Sequence, residues 1–376
     1  ESTFSVVTAD YDRDGDLDLA VGGRIVPGQY PVAANSRLFR NDGGKFTDVT
    51  ETIIPEFLNT GLVTSLLWSD CNHDGWVDLM AAHEWGPIKV FLNDKGQKFI
   101  DHSANTGIDD LLGWWQGIQG RDLNGDGFID YVATNFGTNT IYKASKKKPE
   151  LIFYGDMAGT GNFNIIEAKF EGDICYPRRG YSCSSNAIPQ LRNKIKTFEQ
   201  FALTSLDGLY AKDRLEPSLK LECNTLYTTA FINDGSGHFT PVPLPWLAQV
   251  SPSFGLALTD VDADGFTDVF LAQNFSQPQE ETGPMNPGIS ALLRGTGNPE
   301  EPFEVVPVLE SGVLIPEDAR SVAVCDVNQD ARPDLFVGIN SAHPSLFLNQ
   351  SKTGKPFSIR LKGAKGNPTA IGSRVT

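Results

Sequence analysis

Apolar and polar residues alternate in short runs along most of the chain. One set comprises Phe4 to Thr8, Leu62 to Trp68, Gly255 to Thr259 and Ser321 to Val324. A second set, a few residues downstream, comprises Leu17 to Gly22, Val77 to Ala82, Ile129 to Thr134, Val269 to Gln273 and Leu335 to Ile339. Runs this short, bounded by turn residues, predict β-strands rather than helices. A third and a fourth strand follow around a polar turn, as in Arg37 to Val49, Val90 to Phe99 and Ala230 to Phe239, where Asn-Asp-Gly between apolar residues signals a hairpin. One unit is a four-stranded antiparallel meander, and its repetition predicts an all-β chain folded as a β-propeller. The exception is Ile188 to Ala211, where Leu191, Ile195, Phe198, Phe201, Ala202, Ser205 and Leu209 keep a three-to-four residue spacing. This predicts a helix with Ser185 or Asn186 as its cap and Pro189 in its first turn. It lies in an insertion of about 174–223 within the fourth blade.

Between the first two strands of each unit the same nine residues recur. Asp10-Tyr-Asp12-Arg-Asp14-Gly15-Asp16-Leu-Asp18 returns as Asp70-Cys-Asn72-His-Asp74-Gly75-Trp76-Val-Asp78 and as Asp122-Leu-Asn124-Gly-Asp126-Gly127-Phe128-Ile-Asp130. It returns again as Asp260-Val-Asp262-Ala-Asp264-Gly265-Phe266-Thr-Asp268 and as Asp326-Val-Asn328-Gln-Asp330-Ala331-Arg332-Pro-Asp334. A sixth copy from Asp156 to Asn164 keeps the spacing without most of the carboxylates, so six blades are countable and an irregular third-to-fourth junction leaves room for a seventh. Turn propensity explains Asp, Asn and Gly in a loop; it does not explain one spacing held five times. Oxygen ligands at positions 1, 3, 5 and 9, a tight turn at 6 and the position 7 carbonyl (Asp16, Trp76, Phe128, Phe266 and Arg332) suit Ca²⁺, which accepts a flexible shell of six to eight oxygens. About five such sites are expected, and none at the Asp156 copy.

Composition narrows the partners. Asp and Glu number 47 against 31 Lys and Arg, for a formal charge of -16, which argues against a nucleic-acid partner. No apolar run approaches the roughly 20 residues of a membrane span. The 5 cysteines leave at least one thiol unpaired. A Cys175–Cys183 disulfide is expected within the insertion, with Cys223 as the rival partner and Cys71 and Cys325 as buried thiols. Asn274-Phe-Ser276 and Asn349-Gln-Ser351 are glycosylation triplets of low specificity.

The loop Asp-x-Asp-x-Asp-Gly-x-x-Asp followed by Leu-x-Val/Ala-Gly resembles the FG-GAP, or VCBS, repeats of integrin-like propellers, over nearly the whole chain (1–361). Glu84-Trp85-Gly86-Pro87-Ile88, Gly113-Trp114-Trp115, Asn139 to Ser145 and the stretch Leu191 to Tyr210 are similar to exported bacterial proteins of this class. The tail, 362–376, resembles the cut-short start of an ASPIC/UnbV module, which also occurs in cartilage acidic proteins. The resemblance implies a calcium-stabilised, exported binding or adhesion protein, extracellular, on the cell surface or periplasmic. No catalytic motif joins the scattered histidines His73, His83, His102, His238 and His343, so a protein- or glycan-binding module is expected, with a lectin as the alternative and a polysaccharide lyase or hydrolase behind it. Strand order puts the remaining loops opposite the calcium loops, with His83, Glu84, Trp85, Trp114 and Trp115 as ligand-binding candidates and exposed Trp85 and Trp114 as anchors.

Overall fold

The computed structural model describes residues 2–280, 282–352, 354, 359–363 and 365–371. Five antiparallel sheets repeat one plan, with strands ordered as in the sequence. The first sheet holds Thr3–Ala9, Asp18–Gly23, Arg37–Asp42 and Lys45–Asp48; the second holds Leu62–Ser69, Asp78–Gly86, Lys89–Asn93 and Phe99–Asp101. Gly117–Arg121, Asp130–Thr134, Thr229–Asn233 and Phe239–Pro243 form the third, and Ser253–Thr259, Asp268–Gln273, Ala291–Gly295 and Phe303–Val305 the fourth. The fifth has Ala319–Cys325, Asp334–Ile339 and Ser345–Phe347. Their first strands pack side by side in that order.

The period-two pattern builds the core directly. In Asp78–Gly86, Leu79 and Ala81 join Leu38, Val63 and Phe91 between the first and second sheets. Met80 and Ala82, pointing the other way, join Tyr131 and Phe231 between the second and third. The strands of such an inner sheet are therefore apolar on both faces, and the sheet is buried by its neighbours on either side.

The insertion differs from expectation. Asp130–Thr134 pairs with Thr229–Asn233, Ala133 opposite Thr229, so the intervening residues, 135–228, interrupt the third sheet between its second and third strands. They carry a sheet of their own, ordered Ile174–Pro177, Asn164–Glu171, Glu150–Gly155, Leu219–Cys223. The Asp156 turn joins two strands of this inserted sheet and opens no unit of the main series, which among the described residues has five sheets, not six. Motif spacing reports a turn between two strands; it is silent on which distant strand completes the sheet.

The single helix expected over 188–211 is broken into Leu191–Lys194, Phe198–Ala202 and Leu206–Leu209. Thr197 accepts from the Gln200 amide and Ser205 from the Gly208 amide, so each hydroxyl ends one turn and starts another. Ser185 and Asn186 lie within a preceding helix, Tyr181–Ala187, rather than at a cap. The apolar spacing still does its work: Leu191, Ile195, Phe201, Leu206 and Leu209 bury one side of the inserted sheet with Leu151, Phe153 and Ile166.

None of the five cysteines is in a disulfide, which overturns the Cys175–Cys183 pairing. Cys175 lines a hollow with Leu206 and Lys220, and Cys183 a separate one with Tyr30 and Tyr210. Cys71 and Cys223 are buried, whereas Cys325 is exposed, contrary to expectation. The proposed ASPIC/UnbV-like tail falls partly outside the described residues.

Candidate functional site

The five acidic loops share one hydrogen-bond scheme. Position 1 accepts the amide of position 6: Gly15 to Asp10 at 3.1 Å, Gly75 to Asp70 at 2.9 Å, Gly127 to Asp122 at 2.9 Å, Gly265 to Asp260 at 3.0 Å and Ala331 to Asp326 at 2.9 Å. Position 5 accepts the amide of position 7, which ties Asp14 to Asp16, Asp74 to Trp76, Asp126 to Phe128, Asp264 to Phe266 and Asp330 to Arg332. Position 6 has positive φ throughout, +97° at Gly15 and 66° at Ala331.

The position 9 aspartates are anchors. Asp18, Asp78, Asp130, Asp268 and Asp334 are buried. One oxygen takes the amide of position 2, from Tyr11, Cys71, Leu123, Val261 and Val327. The other takes the amide of a residue at or near the end of the third strand, Asn41, Asn93, Asn233, Gly295 or Asn349, at 2.8–2.9 Å. Burial pushes the Asp18 carboxyl up to about 7 and those of Asp78, Asp130 and Asp268 to about 6, against the opposing pull of these amides.

Two loops gather three carboxylates within 4.8 Å: Asp10, Asp12 and Asp18, and Asp260, Asp262 and Asp268. Both have Asp at position 3. In the others Asn72, Asn124 and Asn328 turn their amide to the position 5 carboxylate, Asp74, Asp126 and Asp330, and are satisfied within the loop. In the first loop the Asp10 Oδ1 is buried with no hydrogen-bond partner, and burial followed by the neighbouring Asp14 charge among the raising influences lifts its pKa. Hard oxygen donors converging on an orphaned carboxylate oxygen fit a cation such as Ca²⁺. In the fourth, the Arg294 guanidinium already takes Asp262, with Nε 3.2 Å from Oδ2. The Asp156 copy has Ala158 and Thr160 at positions 3 and 5 and gathers no such cluster among the described residues.

Neighbouring loops are stitched together. The Arg13 guanidinium stacks 4.0 Å from the Trp76 ring and donates to the Gly75 carbonyl, and His73 meets Phe128 edge-on at 5.2 Å.

At the far ends of the strands the ligand-binding candidates come together but not at the surface. Trp85 is 7% exposed and Trp114 4%, and their rings meet edge-on at 4.8 Å. Trp114 also packs on Phe136 at 5.0 Å and Tyr142 at 4.7 Å, both from the insertion. Trp115 is buried against Phe231. The expectation of exposed tryptophan anchors is overturned: Ile152, Leu221 and Cys223 of the inserted sheet cover the pair. His83 is buried, its Nδ1 2.8 Å from the Pro87 carbonyl and its Nε2 3.2 Å from the Thr60 hydroxyl. Burial lowers its pKa to about 4, so it is neutral. Glu84 pairs with Arg24 and accepts from the Tyr30 hydroxyl at 2.8 Å, and Tyr30 in turn accepts from the Trp85 indole at 2.7 Å. Two tyrosines complete this cluster: Tyr142 lies in the stretch Asn139 to Ser145 that carries part of the family resemblance, whereas Tyr30 has no motif that singles it out in the sequence.

Residues 70–133 match the FG-GAP-like repeat family model, a span covering the second and third acidic loops, so the chain carries this repeat. No curated protein matches. Among solved structures, the Vibrio cholerae biofilm matrix protein Bap1 is 10% identical over 90% of this chain and 66% of its own, with a TM-score of 0.29. BBS1N in complex with ARL6DN is 9% identical over 94% of each chain, with a TM-score of 0.32. The chain spans just under two thirds of the Bap1 chain. Superposition this poor carries no argument about role. No helix among the described residues is long and apolar enough to cross a membrane.

Proposed function

We propose that this chain is a calcium-stabilised extracellular binding module, with its five sheets as blades of a β-propeller and its acidic loops together on one face. The partner, a protein or a glycan, docks on the opposite side, where the insertion and the strand-end loops collect. The observation that carries the reading is the orphaned, buried Asp10 Oδ1 beside Asp12 and Asp18, a group that is costly to bury without a cation. Binding is favoured over hydrolysis because both His83 ring nitrogens and the Glu84 carboxylate are engaged in structural contacts. Calcium bound in the loops would supply charge neutralisation; the chain's own position 9 aspartates hold the loops to the sheets.

The test is calorimetric titration with Ca²⁺ together with melting in Ca²⁺ and in EGTA. Affinities of about 10⁻⁴–10⁻³ M are expected, and calcium at a hundredfold excess over Kd stabilises by about 2.7 kcal/mol per site. Asp10→Ala removes the first-loop site and leaves heat from the others. No binding heat and one melting temperature in both buffers would overturn the reading.

A further inference from the structure

The seam between the insertion and the main series holds a cleft of about 370 Å³. Tyr30 comes to it from the first sheet's long loop, Gln279 from the segment after the fourth sheet's second strand, and Ile165, Glu167, Arg179 and Tyr210 from the insertion. It exists only because these three parts meet. A second hollow of about 350 Å³ shares Arg179 and Cys183 with it and is walled by Ile141, Tyr181 and Phe198. Arg179 stands at the junction. Both volumes fall in the range of small-ligand pockets, about 300–1,000 Å³.

The lining has a definite chemistry. Arg179 Nε lies 3.0 Å from Glu167 Oε2, so the charges in the cleft are matched and nothing selects for a net ionic ligand. Tyr210 is only 1% exposed, and its hydroxyl makes no well-formed hydrogen bond: the neighbouring Ser184 hydroxyl, which leans on the phenol, donates 3.3 Å away to the Arg179 carbonyl. A buried phenol on a cleft wall whose only neighbouring hydroxyl is engaged elsewhere gains from a ligand hydroxyl that bonds it squarely. Around these polar groups, Ile165, Ile141 and Phe198 are large apolar side chains left exposed. Arg178, which lines the second hollow, is paired with Glu150 as Arg179 is with Glu167, so polar groups without unmatched charge between apolar walls match a ligand whose hydroxyls both donate and accept and whose ring faces are apolar. An extended anion or cation would face a charge already neutralised.

We propose that this seam binds a neutral saccharide, one ring in each hollow, laid across Arg179 with a hydroxyl on Tyr210. The proposal builds on the binding-module reading above and narrows its partner to a glycan.

Saturation-transfer NMR with maltose, cellobiose, lactose and N,N′-diacetylchitobiose, in Ca²⁺, tests it. At least one sugar is expected to show transfer to wild type. Tyr210→Phe, which keeps the ring, is expected to weaken that sugar about tenfold, and Ile165→Arg, at a site 46% exposed and tolerant of change, to abolish it; both should melt within a few degrees of wild type. Trp246→Ala, a change at an exposed ring outside the cleft, should bind as wild type does. No transfer from any sugar overturns the saccharide proposal and leaves the calcium titration above unaffected. Transfer that survives both cleft variants overturns the site while sustaining the binding-module reading.

Discussion

His83 shows how one buried side chain sets a pH limit. Its neutral ring serves Pro87 and Thr60 together only with the proton on Nδ1, which donates to the carbonyl while Nε2 accepts the hydroxyl. Its folded pKa of about 4 lies below the ordinary value of 6.5. The unfolded chain therefore binds the extra proton between these values, and the contribution of His83 to stability is full above about 6.5 and falls as pH drops toward 4. His83→Gln is expected to flatten that part of the stability profile in urea titrations at pH 4.5 to 7; an unchanged slope would refute the assignment. Ala331 carries the opposite lesson. It stands where the other four loops have Gly, and it keeps the left-handed φ of 66°, which costs a non-glycine residue about 1 kcal/mol. Ala331→Gly is expected to stabilise by about 0.5–1 kcal/mol, read as a higher urea midpoint at unchanged slope. The carboxylates at the loops were legible from spacing alone. The buried state of Trp85 and Trp114 was not, because exposure depends on what the insertion lays over them.

Between elements, the same asparagine does two jobs. The Asn93 and Asn233 amides of the backbone close the position 9 carboxylate of their own loop, while their side chains reach the loop of the preceding sheet. Asn93 Nδ2 donates to the Tyr11 carbonyl at 2.9 Å and Asn233 Nδ2 to the Cys71 carbonyl at 2.8 Å, each also bonding its own loop at Val77 or Ile129. Asn349 repeats the reach to Val261. The sequence marks these residues as hairpin formers, and they are, with Gly96 nearby against the Asp12 backbone and Gly235 under the Phe128 ring, where a Cβ would collide. Their cross-sheet role appears only once sheets are placed side by side. Asn233→Ala removes the two hydrogen bonds that its Nδ2 donates and the one that its Oδ1 accepts from Gly235, and is expected to cost about 2–3 kcal/mol in urea unfolding. Asn41, whose side chain donates to its own loop at Leu17 and accepts from Gly44 of its own hairpin without reaching another sheet, should cost about 1 kcal/mol as Ala; equal losses at the two positions would deny the cross-sheet lock. The strands and their faces were readable from the period of two, whereas the insertion's place was not, since the pairing of Ala133 with Thr229 is a long-range choice no local pattern encodes.

At the scale of the molecule, each sheet is stabilised by the one after it, and among the described residues the series leaves two faces without that partner. In the fourth sheet Ala257 pairs with Phe270, and both are buried against the fifth, where Leu335 and Val337 receive them. The fifth sheet has the same row, Ala323 opposite Phe336 opposite Leu346, yet Phe336 is 44% exposed where Phe270 is 1%. At the other end Phe4 and Val6 of the first strand are exposed, while Leu256 and Leu258 in the fourth sheet's first strand are buried. These are the two halves of the interface that recurs between every neighbouring pair inside the chain, and an apolar face of this kind seeks cover. A closed propeller would supply it with another sheet of the same repeat; for residues 1–376 alone, a second copy presents the complementary half. Because the two halves differ, the contact is head-to-tail. Sedimentation of the chain in Ca²⁺ is expected to show association that grows with concentration. Phe336→Asp, replacing a side chain that the described residues leave 44% exposed, should return the monomer with its melting temperature intact. A chain monomeric at all concentrations, or a Phe336→Asp variant that associates as wild type does, would mean that these faces are not the adhesive ends of the series.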